Sequence, residues 1–63
     1  MSNFKERLAT ENNELVEKIG KLEDFLNSDK VKGVAKIQLS LLNIQLTAMQ
    51  TYQTCVMTRI DNL

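Results

Sequence analysis

The sequence contains no proline, and its only two glycines are Gly20 and Gly33. Proline and glycine interrupt helices more strongly than any other residue, so a chain this poor in them favours long, continuous helices. Turn-forming residues mixed with charges are concentrated near the middle of the chain. We therefore predict one helix over about residues 3–27, a turn over residues 28–35 and a second helix over about residues 36–62.

The predicted first helix carries a single apolar stripe. Its members recur at spacings of four and three residues, which is typical of a coiled-coil seam. They are Leu8, Asn12, Leu15, Ile19, Leu22 and Leu26. Asn12, the polar member, could fix the register and the number of subunits, as buried asparagines do in coiled coils. Asn3 is the predicted N-cap and forms a capping box with Glu6, with Ser2 as an alternative cap.

The predicted second helix has a wider apolar arc. Its inner seam consists of Leu39, Leu42, Leu46, Met49, Gln53, Val56 and Ile60. A second stripe beside it consists of Leu41, Gln45, Ala48, Tyr52, Cys55 and Arg59, and Ile37 and Ile44 extend the arc further. One neighbouring helix cannot cover such an arc. The 22 residues from Ile37 to Thr58 include no charge and ten Gln, Ser, Asn or Thr, a composition that suits a crowded interface where these side chains bond across subunits.

The length of the chain limits what it can bury. At 63 residues it forms one domain at most, and we assign residues 1–63 to a single helical-hairpin domain. Scaffolds this small usually depend on disulfides, a structural metal or association, and one cysteine without histidine supplies neither of the first two. We predict an all-α fold: an antiparallel two-helix hairpin, with room for a short extra turn near residues 28–36, that assembles into a homo-oligomeric helical bundle.

Several functional classes are disfavoured by the composition. Eight basic and eight acidic side chains cancel, so we expect no binding to DNA or RNA polymers. Ten polar side chains in the uncharged stretch argue against a membrane span. Without histidine, a glycine-rich phosphate loop or an acid cluster, we expect no enzyme activity, no metal and no cofactor. The lone Cys55, interpreted as a packed thiol, and the lack of a secretory signal indicate a cytoplasmic protein.

Two groups of cations remain as candidates for anion binding. An antiparallel hairpin brings Arg59 level with Lys5 and Arg7, and Tyr52 two turns earlier could stack against a base or ribose. A second group, Lys30, Lys32 and Lys36, lies at the turn and is more simply explained by solubility. Two of these residues also have roles that need no ligand. Tyr52 could anchor a subunit interface, and Arg59 could interact only with the helix dipole.

An ordered pattern of residues runs through nearly the whole chain. It consists of Phe4, Arg7, Leu8, Glu11, Glu14, Leu15, Lys18, Ile19, Lys21, Leu22, Phe25 and Leu26, then Ser28 and Asp29, then Leu41, Leu42, Gln45, Leu46, Ala48, Met49, Tyr52, Arg59 and Ile60. The pattern resembles short helical-hairpin proteins of tailed and crAss-like bacteriophages. These proteins are similar in turn to the hairpin domain of anti-CBASS and anti-Thoeris sponges, which form small oligomers, often hexamers.

The resemblance implies a function and further site residues. Such sponges hold nucleotide immune signals in pockets between subunits without cleaving them. The implied ligand is a cyclic di- or trinucleotide or a cyclic ADP-ribose-type signal, with Gln45, Met49 and Arg59 in the pocket and a helix-one lysine that is either Lys18 or Lys21. Our hypothesis is a phage anti-defence sponge that acts in the infected host. The alternative is a non-enzymatic structural or protein–protein interaction module, such as a phage assembly factor or coiled-coil adaptor.

Overall fold

A computed structural model describes residues 3–63, which contain two long helices and no strand. Helix α1 spans Phe4–Leu26, a 3-10 segment spans Asp29–Gly33, and helix α2 spans Lys36–Asp61. The two long helices pack side by side as an antiparallel hairpin that measures 44 × 18 × 15 Å. The prediction of an all-α, two-helix fold is confirmed, and the short extra turn is the 3-10 segment.

The start of α1 has the predicted capping box. The Asn3 side chain accepts a hydrogen bond from the Glu6 backbone N–H at 2.9 Å, and the Glu6 carboxylate accepts one from the Asn3 N–H at 3.3 Å. Both bonds satisfy backbone donors that have no partner within the helix. Ser2, the alternative cap, lies outside the described residues. The N-terminal turn that carries Phe4 and Arg7 is therefore held in place by its own sequence.

The 3-10 segment turns the chain between the helices. Ser28 donates its hydroxyl to the Phe25 carbonyl at 2.7 Å and accepts from the Lys30 N–H at 3.3 Å, so one side chain caps both sides of the turn. Val31 and Val34 are half-buried at this end of the hairpin. The chain thus reverses without glycine in a left-handed conformation.

The two predicted seams form the interior of the hairpin. The buried core consists of Leu8, Leu15 and Val56, with Ile60 packed against it, and every other seam residue of both helices is half-buried. The two polar seam residues face each other, because the Gln53 side-chain amide donates to the Asn12 side-chain oxygen at 2.9 Å. Asn12 therefore fixes the register within one chain.

The back of α2, opposite its inner seam, has no partner within the chain. Ile37 and Ile44 are 64% and 65% exposed, and Leu41 is 50% exposed. The back of α1, by contrast, carries charges such as the Glu17–Lys21 pair, whose atoms are 3.0 Å apart. The hairpin is therefore asymmetric, with one solvated helix and one helix that leaves apolar surface uncovered.

Candidate functional site

A groove at the open end of the hairpin brings two of the predicted arginines together. This end groove has a volume of about 310 Å³ and is lined by Phe4, Arg7, Leu8, Glu11 and Arg59. The capped first turn of α1 places Arg7, and the C-terminal turns of α2 place Arg59 on the facing wall. The groove is thus lined by one arginine from each helix, and a guanidinium group can donate two parallel hydrogen bonds to an anion.

An aromatic ring positions one of these arginines. The guanidinium carbon of Arg59 lies 5.6 Å from the centre of the Phe4 ring, a distance at which a cation is attracted to the ring face. The stacked guanidinium keeps its N–H donors at its edges, where a phosphate or carboxylate can accept them. Phe4 thus both holds Arg59 and offers apolar surface to a ligand.

Tyr52 lies beside the end groove, and its side chain reaches from α2 to α1. Its hydroxyl donates a hydrogen bond to a carboxylate oxygen of Glu11, which lines the groove. This bond raises the pKa of the Tyr52 phenol, with smaller contributions from desolvation and the Glu11 charge, while the nearby Arg59 charge lowers it. The residue is 47% exposed, so part of its surface remains open to a ligand.

A second groove lies on the hairpin nearer the turn. This central groove has a volume of about 480 Å³ and is lined by Lys18, Lys21, Leu22, Phe25, Leu42, Gln45 and Met49. It contains both lysines between which the resemblance left the choice open, together with Gln45 and Met49. Its floor is apolar, and Lys21 is already paired with Glu17.

The predicted site residues therefore divide into two groups. Gln45 and Arg59 are fourteen positions apart on α2, about 21 Å at the helical rise. Within one chain Arg7 and Arg59 share the end groove with Tyr52 beside them, whereas Gln45 and Met49 belong to the central groove. Lys5 is exposed on the first turn of α1 and does not line the end groove.

Sequence reasoning missed the role of Glu11. The signal that could have revealed it is the register: the two polar seam residues, Asn12 and Gln53, have to meet, and this pairing places Glu11 beside Tyr52. Glu11 adds a negative charge to a groove that holds two positive ones. The end groove consequently offers both hydrogen-bond donors and an acceptor.

Comparison with known protein families shows where the chain belongs. The profile of the Sequestin family matches residues 2–62, which is almost the entire sequence. The chain belongs to the Sequestin family. No curated protein and no solved structure gives a significant match. Both grooves lie within the part of the chain that the Sequestin profile covers.

Two further properties describe this Sequestin chain. Among residues 3–63, no three His, Cys, Asp or Glu side chains come close enough together to hold a metal ion. Neither long helix has a segment apolar enough, over a sufficient length, to cross a membrane.

We predict that the Tyr52 phenol titrates above the usual pKa of tyrosine. Because the folded chain holds this proton more tightly than the unfolded chain, its stabilising effect is complete below the usual pKa and is lost as the pH rises through the raised value. Tyrosinate absorbance reports this residue alone, since the chain has one tyrosine and no tryptophan. The variant Glu11→Ala should lower the midpoint, whereas Glu14→Ala should not. Equal midpoints in the native chain and Glu11→Ala would contradict the Tyr52–Glu11 bond.

Proposed function

We propose that this Sequestin is a phage anti-defence sponge. It binds a cyclic nucleotide immune signal in pockets between its subunits and withholds that signal in the cytoplasm of the infected host without cleaving it. The observation that carries this proposal is the end groove, which Arg7 and Arg59 line together, with the Arg59 guanidinium over the Phe4 ring. The family name also suggests a sequestering role.

The groups of the end groove match the parts of a nucleotide. The planar guanidinium groups of Arg7 and Arg59 suit phosphate oxygens, which they can bind through two parallel hydrogen bonds each. The rings of Phe4 and Tyr52 offer surfaces on which a base can stack. Glu11 can accept a hydrogen bond from a ribose hydroxyl or a base amine. A free phosphate would use only the first of these three features.

The small volume of the end groove favours a site completed by a second subunit. A pocket for a small molecule typically encloses about 300–1,000 Å³ and buries most of its ligand. At about 310 Å³, with five lining residues, this groove is near the lower limit of that range for a ligand as large as a cyclic dinucleotide. Another subunit packed over the groove would exclude water and strengthen the phosphate contacts.

The surface area of the chain supports association. A compact monomer of 7.2 kDa exposes about 4,100 Å². This chain exposes 4957 Å². The excess, roughly 800 Å², equals the share that each partner contributes to a stable protein–protein interface of ordinary size. We therefore propose a homo-oligomer, either a hexamer or another small assembly.

Sequestration requires that the protein bind its ligand without changing it chemically. In the end groove the one carboxylate, Glu11, already accepts the hydrogen bond of Tyr52, and the remaining polar groups are arginines. Arginine stays protonated at physiological pH and is a poor general base. We propose that the ligand leaves the protein unchanged, so that inhibition depends on the number of protein copies.

The alternative proposal is a structural or interaction module. The exposed apolar residues of α2 favour it, because such a surface can also pack against another protein. In that case Arg59 would serve only the helix dipole, and Arg7 would serve only solubility. A ligand screen distinguishes the two functions.

The test is a thermal-shift panel of cyclic dinucleotides, cyclic trinucleotides and cyclic ADP-ribose isomers. A ligand at one hundred times its dissociation constant stabilises the folded state by about 2.7 kcal/mol. For a domain of this size that stabilisation raises the melting temperature by roughly 10 °C or more. Chromatography of the denatured complex should return the intact nucleotide. If no panel member shifts the melting temperature, the interaction module is the better account, and recovery of a cleaved nucleotide would exclude sequestration.

A further inference from the structure

We infer that two copies of this chain pair antiparallel through the back of α2. The surface concerned, here called the outer stripe, consists of Ile37, Leu41, Ile44, Ala48, Thr51 and Cys55. These residues recur at spacings of four and three, like the inner seam, and all six are exposed in the single chain. The proposed function includes a homo-oligomer, and this inference names the interface, the relative direction of the two helices and their register.

Exposure and charge show that the outer stripe is suited to burial. Ile37 and Ile44 are about two-thirds exposed, although they are among the most apolar residues of the chain. The inner seam on the opposite side of α2 is already occupied by α1. No charged residue lies between Lys36 and Arg59, so a second helix could approach along the whole length without burying a charge.

Side-chain size favours the antiparallel direction. The first half of the outer stripe is bulky and the second half is small, with Ile37, Leu41 and Ile44 followed by Ala48, Thr51 and Cys55. In a parallel pair, large residues would meet large ones at one end and leave a gap at the other. In an antiparallel pair with its twofold axis between Ile44 and Ala48, every large residue faces a small one. The two helix axes can then stay at a constant distance along the whole outer stripe.

The small polar residue of the stripe can be buried without an unpaired donor. The Thr51 hydroxyl already donates to the Thr47 carbonyl within α2 at 3.0 Å. It therefore presents mainly its methyl group outward. Burial of a hydroxyl that keeps its hydrogen bond avoids the penalty of an unsatisfied polar group.

Charge at the ends of the hairpin also favours the antiparallel direction. Residues 28–36, which join the helices, carry Lys30, Lys32 and Lys36 against Asp29, a net charge of +2, while Glu23 and Asp24 lie on the last turns of α1. A parallel pair would bring two such ends together. An antiparallel pair separates them by most of the 44 Å length of the hairpin, well beyond the screening distance of about 8–10 Å in physiological salt.

The register has a consequence for the binding site, and this step rests on the proposed function. An axis between Ile44 and Ala48 places Arg59 level with the segment that contains Lys32 of the partner subunit and Lys36 of the partner subunit. The lysines of the partner's turn would thus lie at the same level along α2 as Arg59, the one α2 residue that lines the end groove. By twofold symmetry the dimer would contain this arrangement twice.

Disulfide trapping tests the pairing. The variant Ile37→Cys places a thiol opposite Cys55 of the partner subunit, so mild oxidation with diamide should convert it to a covalent dimer on non-reducing gels. The native chain, which has Cys55 alone, should stay monomeric on the same gels. The variant Ile37→Cys/Cys55→Ser should also stay monomeric, and Gln38→Cys controls for random collision. A second bridge, Leu41→Cys/Thr51→Cys/Cys55→Ser, tests the same register at another level.

The outcomes separate this inference from the proposed function. Covalent dimers of the native chain through Cys55, or of Ile37→Cys/Cys55→Ser, would indicate parallel pairing and overturn the inference. Failure of both engineered bridges in a chain that light scattering shows to be oligomeric would also overturn it, and would leave nucleotide binding intact. A monomer by light scattering would overturn both the pairing and the intersubunit pocket.

Discussion

The variant Val56→Asp should fail to fold into the hairpin. Val56 is fully buried and forms the small core together with Leu8 and Leu15. A carboxylate there has no partner and would cost several kcal/mol of unfolding free energy. Since a domain of 63 residues has a total stability of roughly 3–9 kcal/mol, that cost removes most or all of it. Circular dichroism should show loss of the cooperative thermal transition.

A nearby substitution provides the matched control. Thr54→Asp adds the same charge to the same helix only two residues away, on an exposed surface. It should lower stability by no more than about 1 kcal/mol, through helix propensity and the lost Thr54 hydroxyl bond to the Gln50 carbonyl. Val56→Ala should fall between the two. If Val56→Asp melts at the temperature of Thr54→Asp, the seams do not form the core.

The seams were predictable because they depend on periodicity alone. Every residue that the spacing of four and three assigns to the two seams is buried or half-buried, whereas Glu11, Gly20 and Phe25 of α1 are half-buried outside the seam. The capping box followed from local sequence in the same way. Neither feature requires knowledge of which residues lie opposite one another. The turn, predicted over residues 28–35 from its turn-forming residues, lies between helices that end at Leu26 and begin at Lys36, and the hydrogen bonds of Ser28 hold its start.

The site was only partly predictable because it depends on register. Folding the chain in half placed Arg59 near Arg7, and the structure puts both in the end groove. The bond between Tyr52 and Glu11 requires a register accurate to one residue, which comes from the Asn12–Gln53 pair. Periodicity could not show that Gln45 lies in a different groove from Arg59. Their separation follows from helix length.

The threonines of α2 explain how a helix of polar composition can present an apolar surface. Hydroxyl groups of Thr47, Thr51, Thr54 and Thr58 each donate to the carbonyl four residues earlier. Their donors are therefore used within the helix, and their methyl groups point outward. The composition of α2 predicts that such residues bond across subunits. The structure gives them an internal donor role, so the back of α2 is more apolar than its composition indicates.

If the proposed function is right, the variant Arg59→Ala should weaken nucleotide binding. A hydrogen bond to a charged group contributes about 1.5–3 kcal/mol, so loss of the guanidinium should reduce affinity roughly 10- to 150-fold. The ligand found in the thermal-shift panel should then give little or no shift at the concentration that stabilises the native chain. Without ligand the variant should stay folded, because it loses only an exposed stacking contact with Phe4.

Lys18→Ala is the control that makes the Arg59 result interpretable. It removes one positive charge from the central groove and leaves the end groove unchanged. If the phosphate binds between Arg7 and Arg59, Lys18→Ala should keep its ligand-induced shift, and Arg59→Lys should recover only part of the loss because it lacks the planar fork. If instead Lys18→Ala abolishes the shift and Arg59→Ala keeps it, the ligand occupies the central groove with Gln45 and Met49. Equal, modest losses in both variants would indicate a general attraction of anions, since each removes one unit of charge.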